Sequence, residues 1–251
     1  MRKKSDDKLV ILIPTRDEAA NIPSLLTRIR SALDPAEILY EILVVDDDSR
    51  DGTAELVSAA ARADDRIRLL IRRGERGLSG AILHGWRHSD AEILGVMDAD
   101  LQHPPELLPA LLTAILEGRD LAIASRYVPG GMLRGWNPIR RLFSAAAICA
   151  AQPLQCKGMR VQDPLSGFFL VRRRCLDGVF FQKAGFKLLL EILVRSHIRS
   201  VQEIPFTFGP RHAGRSKAGV RIAFDYIALL ARLYRERFAR ANTTPTLTMD
   251  H

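Results

Sequence analysis

The sequence predicts an α/β protein in which a mostly parallel sheet is covered by helices. Short apolar runs alternate, through the first half of the chain, with stretches whose apolar residues recur every three or four positions. This alternation is typical of doubly wound sheets, in which helices connect parallel strands. Polar residues cluster directly after several of the apolar runs, and ligands of such sheets bind beyond the carboxyl ends of the strands.

Five strands are predicted in the first half of the chain, each from a short apolar run. The first run stops at Pro14, and Asn21 is expected to cap the helix that follows. Thr53 is expected to cap the helix after the second run. Further helices are predicted over 78–89 and 105–117. The predicted strands are 9–13, 41–45, 67–71, 91–100 and 120–125.

The second half of the chain is less regular. The Ala-rich stretch 139–155 has an apolar core of about ten residues, which is too short to cross a bilayer because a spanning helix needs about 20. A helix is predicted over 187–198, a strand interrupted by proline over 200–208 and a basic loop over 209–219. A final helix over 220–239 carries apolar residues with arginines between them.

Composition and charge narrow the functional classes. The chain has 251 residues, 47% hydrophobic and 26% charged, which are the proportions of a globular protein. Three cysteines are too few for a disulfide framework, and no signal peptide is expected. The net charge is +8, and in the last 41 residues eight basic side chains oppose three acidic ones. An anionic partner is therefore expected near the C-terminus.

The segment MDADLQHPPE (97–106) carries the strongest chemical signal. In an extended segment alternate side chains share a face, so Asp98, Asp100 and Gln102 are expected to point the same way. Two carboxylates and an amide oxygen suit Mg²⁺ or Mn²⁺ when substrate phosphates complete the ligand set. An isolated D-x-D pair is more often a solvated acidic turn, so this interpretation depends on the neighbouring segments.

Two more polar segments follow predicted strands. In VVDDDSRDGT (44–53), adjacent carboxylates repel one another unless donors or cations lie close, and ribose hydroxyls or a base edge would supply donors. In IPTRDEAANI (13–22), Glu18 and Asn21 begin a helix. The alternative interpretations are an acidic loop that caps a helix for the first segment, and helix capping alone for the second.

Together these segments resemble the family-2 glycosyltransferases, whose nucleotide-sugar domain has the GT-A fold. Later segments resemble, in order and at similar spacing, those of the polyprenol-phosphate mannosyltransferases within that family. These segments are SRYVPGG (125–131), QDPLSGFFLVRR (162–173), GFKLLLEIL (185–193) and EIPFTFGPR (203–211). The similarity extends from about residue 9 to about residue 219, which is most of the chain.

The resemblance implies roles for the matching positions. The residues expected to line the nucleoside pocket are Pro14, Arg16, Glu18, Val45 and Asp47. Those expected to hold the diphosphate and the metal are Asp98, Ala99, Asp100 and Gln102, with Ala99 outside the metal ligand set. Cations expected at donor or acceptor phosphates are Arg126, Arg140, Lys187, Arg211 and Lys217, the last two on the donor. The expected catalytic residues are Asp100, Arg126, Arg140 and Lys187.

The implied reaction is metal-dependent, inverting transfer of mannose from GDP-mannose to a polyprenol (dolichol-type) phosphate. Arg16 and Asp17 replace the family's usual Tyr and Asn, so UDP-glucose or another UDP-sugar is the alternative donor. A phosphate monoester with a second pKa of ~6 is a dianion at neutral pH, so no general base is expected. Asp163 is instead expected to orient Ser166 or the acceptor loop.

We divide the chain into a GT-A catalytic domain over 1–216 and a basic amphipathic helix with a tail over 217–251. The helix is expected to lie on an anionic membrane surface, with packing against the domain as the alternative. The protein would then be peripheral, at the cytoplasmic face of a membrane, and a membrane-anchoring partner subunit is one way to hold it there. No nucleic-acid partner is expected, because the basic residues lack interleaved aromatic side chains.

Overall fold

The structure is a computed structural model that describes 7–36, 38–155, 159–181, 187–209 and 220–242, with side chains of the last helix described from 223 to 239. Its strands are β1 (Leu9–Thr15), β2 (Tyr40–Asp46), β3 (Ile67–Ile71), β4 (Ile93–Val96), β5 (Leu121–Ser125), β6 (Met132–Leu133), β7 (Phe169–Arg172), β8 (Val201–Pro205) and β9 (Thr207–Phe208). Its helices are α1 (Ile22–Leu33), α2 (Thr53–Ala63), α3 (Leu78–Arg87), α4 (Leu108–Leu116), α5 (Pro138–Ala151), α6 (Leu188–Arg195) and α7 (Val220–Asn242).

Within the described residues, seven strands form the main sheet in the order β3-β2-β1-β4-β7-β5-β8. Every neighbouring pair is parallel except the two pairs made by β7, which is antiparallel to β4 and to β5. The predicted mostly parallel sheet is therefore confirmed, although β7 itself was not predicted as a strand.

The packing of the core on both faces of the sheet explains why the strands are continuous apolar runs in the sequence. Successive residues of β1 belong to opposite faces of the sheet: Ile11 and Ile13 pack with α1 and α4, whereas Val10 and Leu12 pack with α3 and α6. Since helices cover both faces, each face of the strand needs apolar side chains. All four of these residues are 0% exposed.

Three predicted starts or ends of elements can be compared directly with the structure. β1 does not stop at Pro14 but runs one residue further, because the pairing with β4 ends at Leu12 and Pro14 has a neighbouring strand on the β2 side alone. The N-cap of α2 is Gly52, and Thr53 is the first residue of the helix. Asn21 is the N-cap of α1 as predicted, but its amide donates to Glu18 and makes no capping bond.

A small parallel pairing of β6 with β9 lies beside the main sheet. The Met132 N–H donates to Phe206 O at 3.0 Å, and the Phe206 N–H donates to Ser125 O at 3.1 Å. These bonds fold the segment after β5 across the end of β8. As a result, Phe206 and Phe208 are buried next to the polar residues that follow the central strands.

Helices α5 and α7 pack on each other and on α6 through a third, smaller apolar cluster. Leu229 and Leu233 of α7 are buried in it, and the Tyr234 hydroxyl donates to Ala150 O at 2.8 Å. Tertiary packing, the alternative for this helix, is thus observed. The predicted domain division falls in 210–219, outside the described residues, and stays a prediction. In the described part of the chain no helix meets the length and hydropathy needed to cross a bilayer.

Candidate active site

The three polar segments predicted after strands lie side by side in the structure. Thr15 at the end of β1 is in register with Asp46 at the end of β2. The next strand on the other side of β1 is β4, whose following residue Met97 donates its N–H to Leu12 O at 3.1 Å. The carboxyl ends of three parallel strands therefore form one polar edge.

The carboxylates that follow β2 obtain their donors from the protein. Asp46 accepts from the Thr15 hydroxyl at 2.8 Å and from the Ser49 N–H at 2.8 Å. Asp47 accepts from Arg72 Nε at 2.7 Å, from Arg72 Nη2 at 2.9 Å and from the Gly77 N–H at 3.0 Å. Both carboxylates thus have donors within the protein, and those of Asp47 include Arg72, which is 5% exposed and was given no role from the sequence. The place of Asp47 at the nucleoside pocket stays a prediction.

The loop after β1 is tied to the loop after β2. The Glu18 N–H donates to Thr53 Oγ1 at 2.9 Å, and the Asp17 N–H donates to Ser49 Oγ at 2.8 Å. The Arg16 side chain is 41% exposed and lies 3.9 Å from the Asp17 carboxylate. The loops that follow β1 and β2 are thus held in one arrangement.

The remaining residues expected around the nucleoside (Pro14, Val45) and the diphosphate (Ala99) differ in exposure. Pro14 is half-buried, whereas Val45 and Ala99 are 0% and 3% exposed. The Val45 side chain packs in the core, where a Cβ on Gly85 would come within 2.9 Å of it. Val45 and Ala99 are therefore core residues beneath this edge.

The D-x-D segment turns sharply and is not extended. β4 ends at Val96, a turn follows over 99–100, and Leu101 has a positive φ of 60°. The Gln102 N–H donates to Asp100 Oδ1 at 3.1 Å, which closes the turn. The expectation that alternation along a strand aligns Asp98, Asp100 and Gln102 is therefore wrong, although the turn keeps all three within one short segment.

Gly167 packs closely against the Asp98 carboxylate. A Cβ added to Gly167 would stand 3.0 Å from Asp98 Oδ2 and 3.3 Å from His103 Cε1, so a larger residue would crowd this position. Among the described residues there is no cluster of three or more His, Cys, Asp or Glu side chains arranged to hold a metal. The donor set fits a divalent cation only when further oxygens, such as phosphate oxygens, complete the shell.

His103, to which the sequence analysis gave no role, is the buried centre of this region. It is 3% exposed, and its ring centroid lies 5.4 Å from that of Phe168 and 5.8 Å from those of Phe206 and Phe208. Burial, reinforced by Arg126, lowers the pKa of His103 to about 4 despite the nearby carboxylates, so the ring is neutral at pH 7. Its Nδ1 accepts from the Asp98 N–H at 3.4 Å.

Two of the expected cations face these carboxylates. The Arg126 side chain, 10% exposed, forms a two-pronged ion pair with buried Asp163, with an Nη2–Oδ1 distance of 2.7 Å. Lys187 precedes α6 and donates from Nζ to Leu165 O at 3.2 Å. Burial and Arg126 lower the pKa of Lys187, whereas Asp98 and Asp163 raise it, so the four groups interact electrostatically.

Arg140 joins the site through an aromatic side chain. Its guanidinium lies 4.0 Å from the ring centroid of Trp136, and the guanidinium of Arg126 lies 5.8 Å from the same centroid. Trp136 also contacts Phe208 edge to face at 5.8 Å. Arg140 is exposed near the start of α5, so this row of residues leads from buried Arg126 to the surface.

The expected donor ligands Arg211 and Lys217 lie outside the described residues. The last described residue before them is held at the site, because Gln102 Nε2 donates to Gly209 O at 2.8 Å. The basic loop therefore begins directly beside the D-x-D turn.

Residues 10–180 match the family described as "Glycosyl transferase family 2". The chain is 41% identical over 226 residues to a protein of Pyrococcus furiosus named dolichol-phosphate mannosyltransferase, a match that covers 90% of this chain and 63% of that protein. It is 38% identical over 237 residues to a protein of the same name from Mycosarcoma maydis, covering 91% of this chain and 79% of that one. The chain thus spans less than two thirds of its archaeal relative.

The fold also matches solved structures. One is glucosyl-3-phosphoglycerate synthase from Mycobacterium tuberculosis in complex with Mn²⁺, uridine-diphosphate-glucose and phosphoglyceric acid. The two chains are 19% identical, with a TM-score of 0.64, and the match covers 90% of this chain and 79% of the other. The predicted GT-A architecture is thereby confirmed.

Proposed function

Since the chain belongs to glycosyl transferase family 2, we propose that it transfers mannose from GDP-mannose to a polyprenol phosphate. The observation that carries the proposal is the set of opposed charges at one edge of the sheet. The carboxylates of Asp98 and Asp100 lie among cations, Arg126 and Lys187, and next to a neutral buried histidine. The names of the relatives support the sugar and the lipid acceptor.

The charges around His103 and Lys187 favour a metal-bound donor. Asp98, Asp100 and Asp163 against Arg126 and Lys187 give one excess negative charge. On its own, this set does not attract a dianionic phosphate. Asp98 and Asp100, with the Gln102 amide oxygen, would hold Mg²⁺ or Mn²⁺. That ion would neutralise charge that develops on the leaving nucleoside diphosphate.

Arg126 and Arg140 are proposed to hold the acceptor phosphate. Both are arginines that flank Trp136, and Arg140 lies at the surface of α5, from which a lipid would enter. Two guanidinium groups can bring a second anion close to the donor, where unscreened repulsion would otherwise keep the two phosphates apart. The acceptor is already ionised, so the protein does not have to remove a proton from it.

The nucleotide base of the donor is proposed to bind between the loops that follow β1 and β2. Arg16 and Glu18 belong to the first of these loops and Asp47, paired with Arg72, follows β2, and the Arg16 guanidinium, 41% exposed, would offer a flat face to a base. GDP-mannose is the leading donor. UDP-glucose or another UDP-sugar remains the alternative, supported by the solved relative that holds a UDP-sugar.

The test is a donor panel with extraction of the product. Purified protein, polyprenyl phosphate and Mg²⁺ or Mn²⁺ are incubated with labelled GDP-mannose, UDP-glucose or other nucleotide sugars. GDP-mannose is expected to give label that partitions into chloroform, and chelation by EDTA is expected to abolish it. The unphosphorylated polyprenol serves as the matched control acceptor and is expected to remain unlabelled. Absence of lipid-soluble label with every donor would refute the proposal.

A further inference from the structure

Asp163 is a fully buried carboxylate whose oxygens are both bound by one residue. It is 0% exposed. Arg126 donates from Nη2 to Oδ1 at 2.7 Å, from Nε to Oδ2 at 2.8 Å and from its backbone N–H to Oδ2 at 3.0 Å. Burial together with these three bonds keeps both oxygens away from a substrate proton, although a buried carboxylate near a reacting centre is a common candidate for a general base.

The contacts of Asp163 fix the direction of the guanidinium. They use the Nε and Nη2 edge of Arg126, and the Nη1 nitrogen carries two further N–H groups. The rest of the guanidinium is bounded by the rings of Tyr127, Trp136 and Phe208, at 5.5, 5.8 and 5.5 Å. Without the carboxylate, these rings would attract the cation but would not define its rotation about the side-chain bonds.

The segment that carries Asp163 is itself fixed from the far edge of the sheet. Glu203 on β8 accepts from the Gln162 N–H at 2.7 Å and from the Asp163 N–H at 3.0 Å. Glu203 therefore holds the backbone at 162–163, and Asp163 in turn holds Arg126. This connection joins β8 to the end of β5 without contact between Glu203 and the guanidinium.

We propose that Asp163 is a positioning residue that aims Arg126 at the acceptor phosphate and takes no proton in the reaction. This inference rests on the proposed function. It corrects the expectation that Asp163 orients Ser166, because the Ser166 hydroxyl donates to Ala124 O at 2.8 Å and only the Ser166 backbone N–H reaches the carbonyl of Asp163.

A double-mutant cycle tests the inference. Asp163→Asn, Arg126→Ala and the double variant are compared for kcat, acceptor KM and donor KM. If Asp163 acts through Arg126, each single variant raises the acceptor KM about tenfold or more, and the double variant is no worse than Arg126→Ala within about threefold. The donor KM stays unchanged. If Asp163 were a base, its loss would lower kcat about 100-fold or more in either background.

Asp163→Asn leaves a buried guanidinium without its counterion, so it is a variant that can fail to fold. Glu203→Gln provides the second test, because it weakens the support of 162–163 while leaving Arg126 and Asp163 in place. A severalfold rise in acceptor KM at constant kcat and donor KM is expected. The inference would be overturned if the effects of Asp163→Asn and Arg126→Ala multiplied in the double variant. It would also be overturned if Glu203→Gln lowered kcat alone. An inactive wild-type protein would instead overturn the proposed function, and this inference with it.

Discussion

At the scale of single residues, the site holds Asp98 and Asp100 near the cations Arg126 and Lys187 and beside a neutral histidine. Asp46 and Asp47 after β2 receive hydroxyl, amide and guanidinium donors from the protein. In the D-x-D turn, Asp100 accepts from the Gln102 N–H and lies near His103, which burial keeps neutral. Since like charges at close range disfavour each other, a cation at this turn would stabilise both carboxylates together.

Asp100→Asn tests the role of the Asp100 charge in sugar transfer directly. The asparagine keeps the oxygen that accepts from the Gln102 N–H, so the turn is preserved while one charge is removed. We expect sugar transfer to fall about 100-fold or more, as when one electrostatic group at a leaving group is lost. The measurement is the initial rate of lipid labelling at several metal concentrations.

Asp90→Asn is the matched control for that prediction. The Asp90 side chain is 84% exposed and pairs with Lys8 at 2.7 Å, and it precedes β4 whereas the D-x-D turn follows that strand. The activity of Asp90→Asn is expected to stay within about twofold of wild type, since exposed ion pairs contribute little to stability. If Asp100→Asn retained more than a third of the wild-type rate, the assigned role of Asp100 would be wrong.

The sequence identified the residues of the D-x-D turn but not their partners. Asp98, Asp100 and Gln102 are close in sequence, so any local structure keeps them close in space. The Arg126–Asp163 and Asp47–Arg72 pairs join residues 37 and 25 positions apart. Such pairs depend on which strands are neighbours, and residue types alone do not contain that information.

At the scale of elements, apolar runs predicted the parallel strands and missed the antiparallel one. β1 and β2 lie at the interior of the sheet and have seven residues each, which gives a clear signal. β7 has four residues, FLVR, and is followed directly by a 3-10 turn. A run of that length does not separate a strand from a buried helix, and its place between β4 and β5 is a property of the topology.

The end of α2 provides a prediction for the dependence of stability on pH. Asp64 accepts from Arg66 Nη2 at 2.8 Å and from Arg30 Nη1 at 3.3 Å, which ties α2 to α1. Hydrogen bonds from Arg66 lower the pKa of Asp64 below its ordinary value. A lowered carboxylate pKa stabilises the fold above the pKa of the unfolded chain, and this stabilisation is lost as the pH falls.

Asp64→Asn is therefore expected to lower the free energy of unfolding by about 1–2 kcal/mol at pH 7. Its difference from wild type is expected to shrink by up to about 1 kcal/mol between pH 5 and pH 3, allowing for solvent screening. Urea unfolding at each pH measures both values. Asp65→Asn, at the exposed neighbouring position, is the control and should show little change at either pH. A difference that grew on acidification would contradict the assignment.

The attachment of α7 provides a second prediction at this scale. Leu233 is 0% exposed between α7 and α5, and Arg232 on the same helix lies 3.2 Å from the buried carboxylate of Glu191 on α6. Leu233→Ala is expected to cost about 2–5 kcal/mol of unfolding free energy, because it removes apolar contacts and leaves a cavity.

Leu142→Ala on α5 is the control for Leu233→Ala, since its side chain is 71% exposed. Its effect should stay within about 0.5 kcal/mol. Equal effects of the two variants in urea unfolding would mean that α7 does not pack on the rest of the protein as described.

At the scale of the whole molecule, the outer sides of α5 and α7 expose large apolar side chains. On α5, Ile139, Leu142 and Phe143 are 66%, 71% and 71% exposed, and on α7, Phe224 and Ile227 are 67% and 60% exposed. These five residues are the exposed apolar face. Tyr226 on α7 donates to Ala147 O on α5, so the two helices contact each other here. Arg140 of the proposed acceptor site lies on α5 within the same stretch of sequence.

This arrangement reconciles the two interpretations of the last helix. One side of α7 packs on the protein through Leu229 and Leu233, as the packing alternative requires. Its other side leaves Phe224 and Ile227 uncovered, as a surface helix at a membrane requires. A lipid phosphate in a bilayer would approach Arg140 and Arg126 from this direction, so the exposed apolar face is expected to contact the membrane that holds the acceptor.

The prediction at this scale is that a Phe143→Ser and Ile227→Ser double variant loses binding to vesicles containing an anionic phospholipid. Each substitution removes apolar burial of about 1.5–3 kcal/mol, so binding should fall at least about tenfold per side chain in co-sedimentation. Leu39→Ser is the matched control, because Leu39 is 68% exposed but precedes β2, at the opposite end of the strands. Wild-type binding should weaken with added salt as charge attraction is screened. Equal binding of the double variant and the control would show that α5 and α7 do not contact the bilayer.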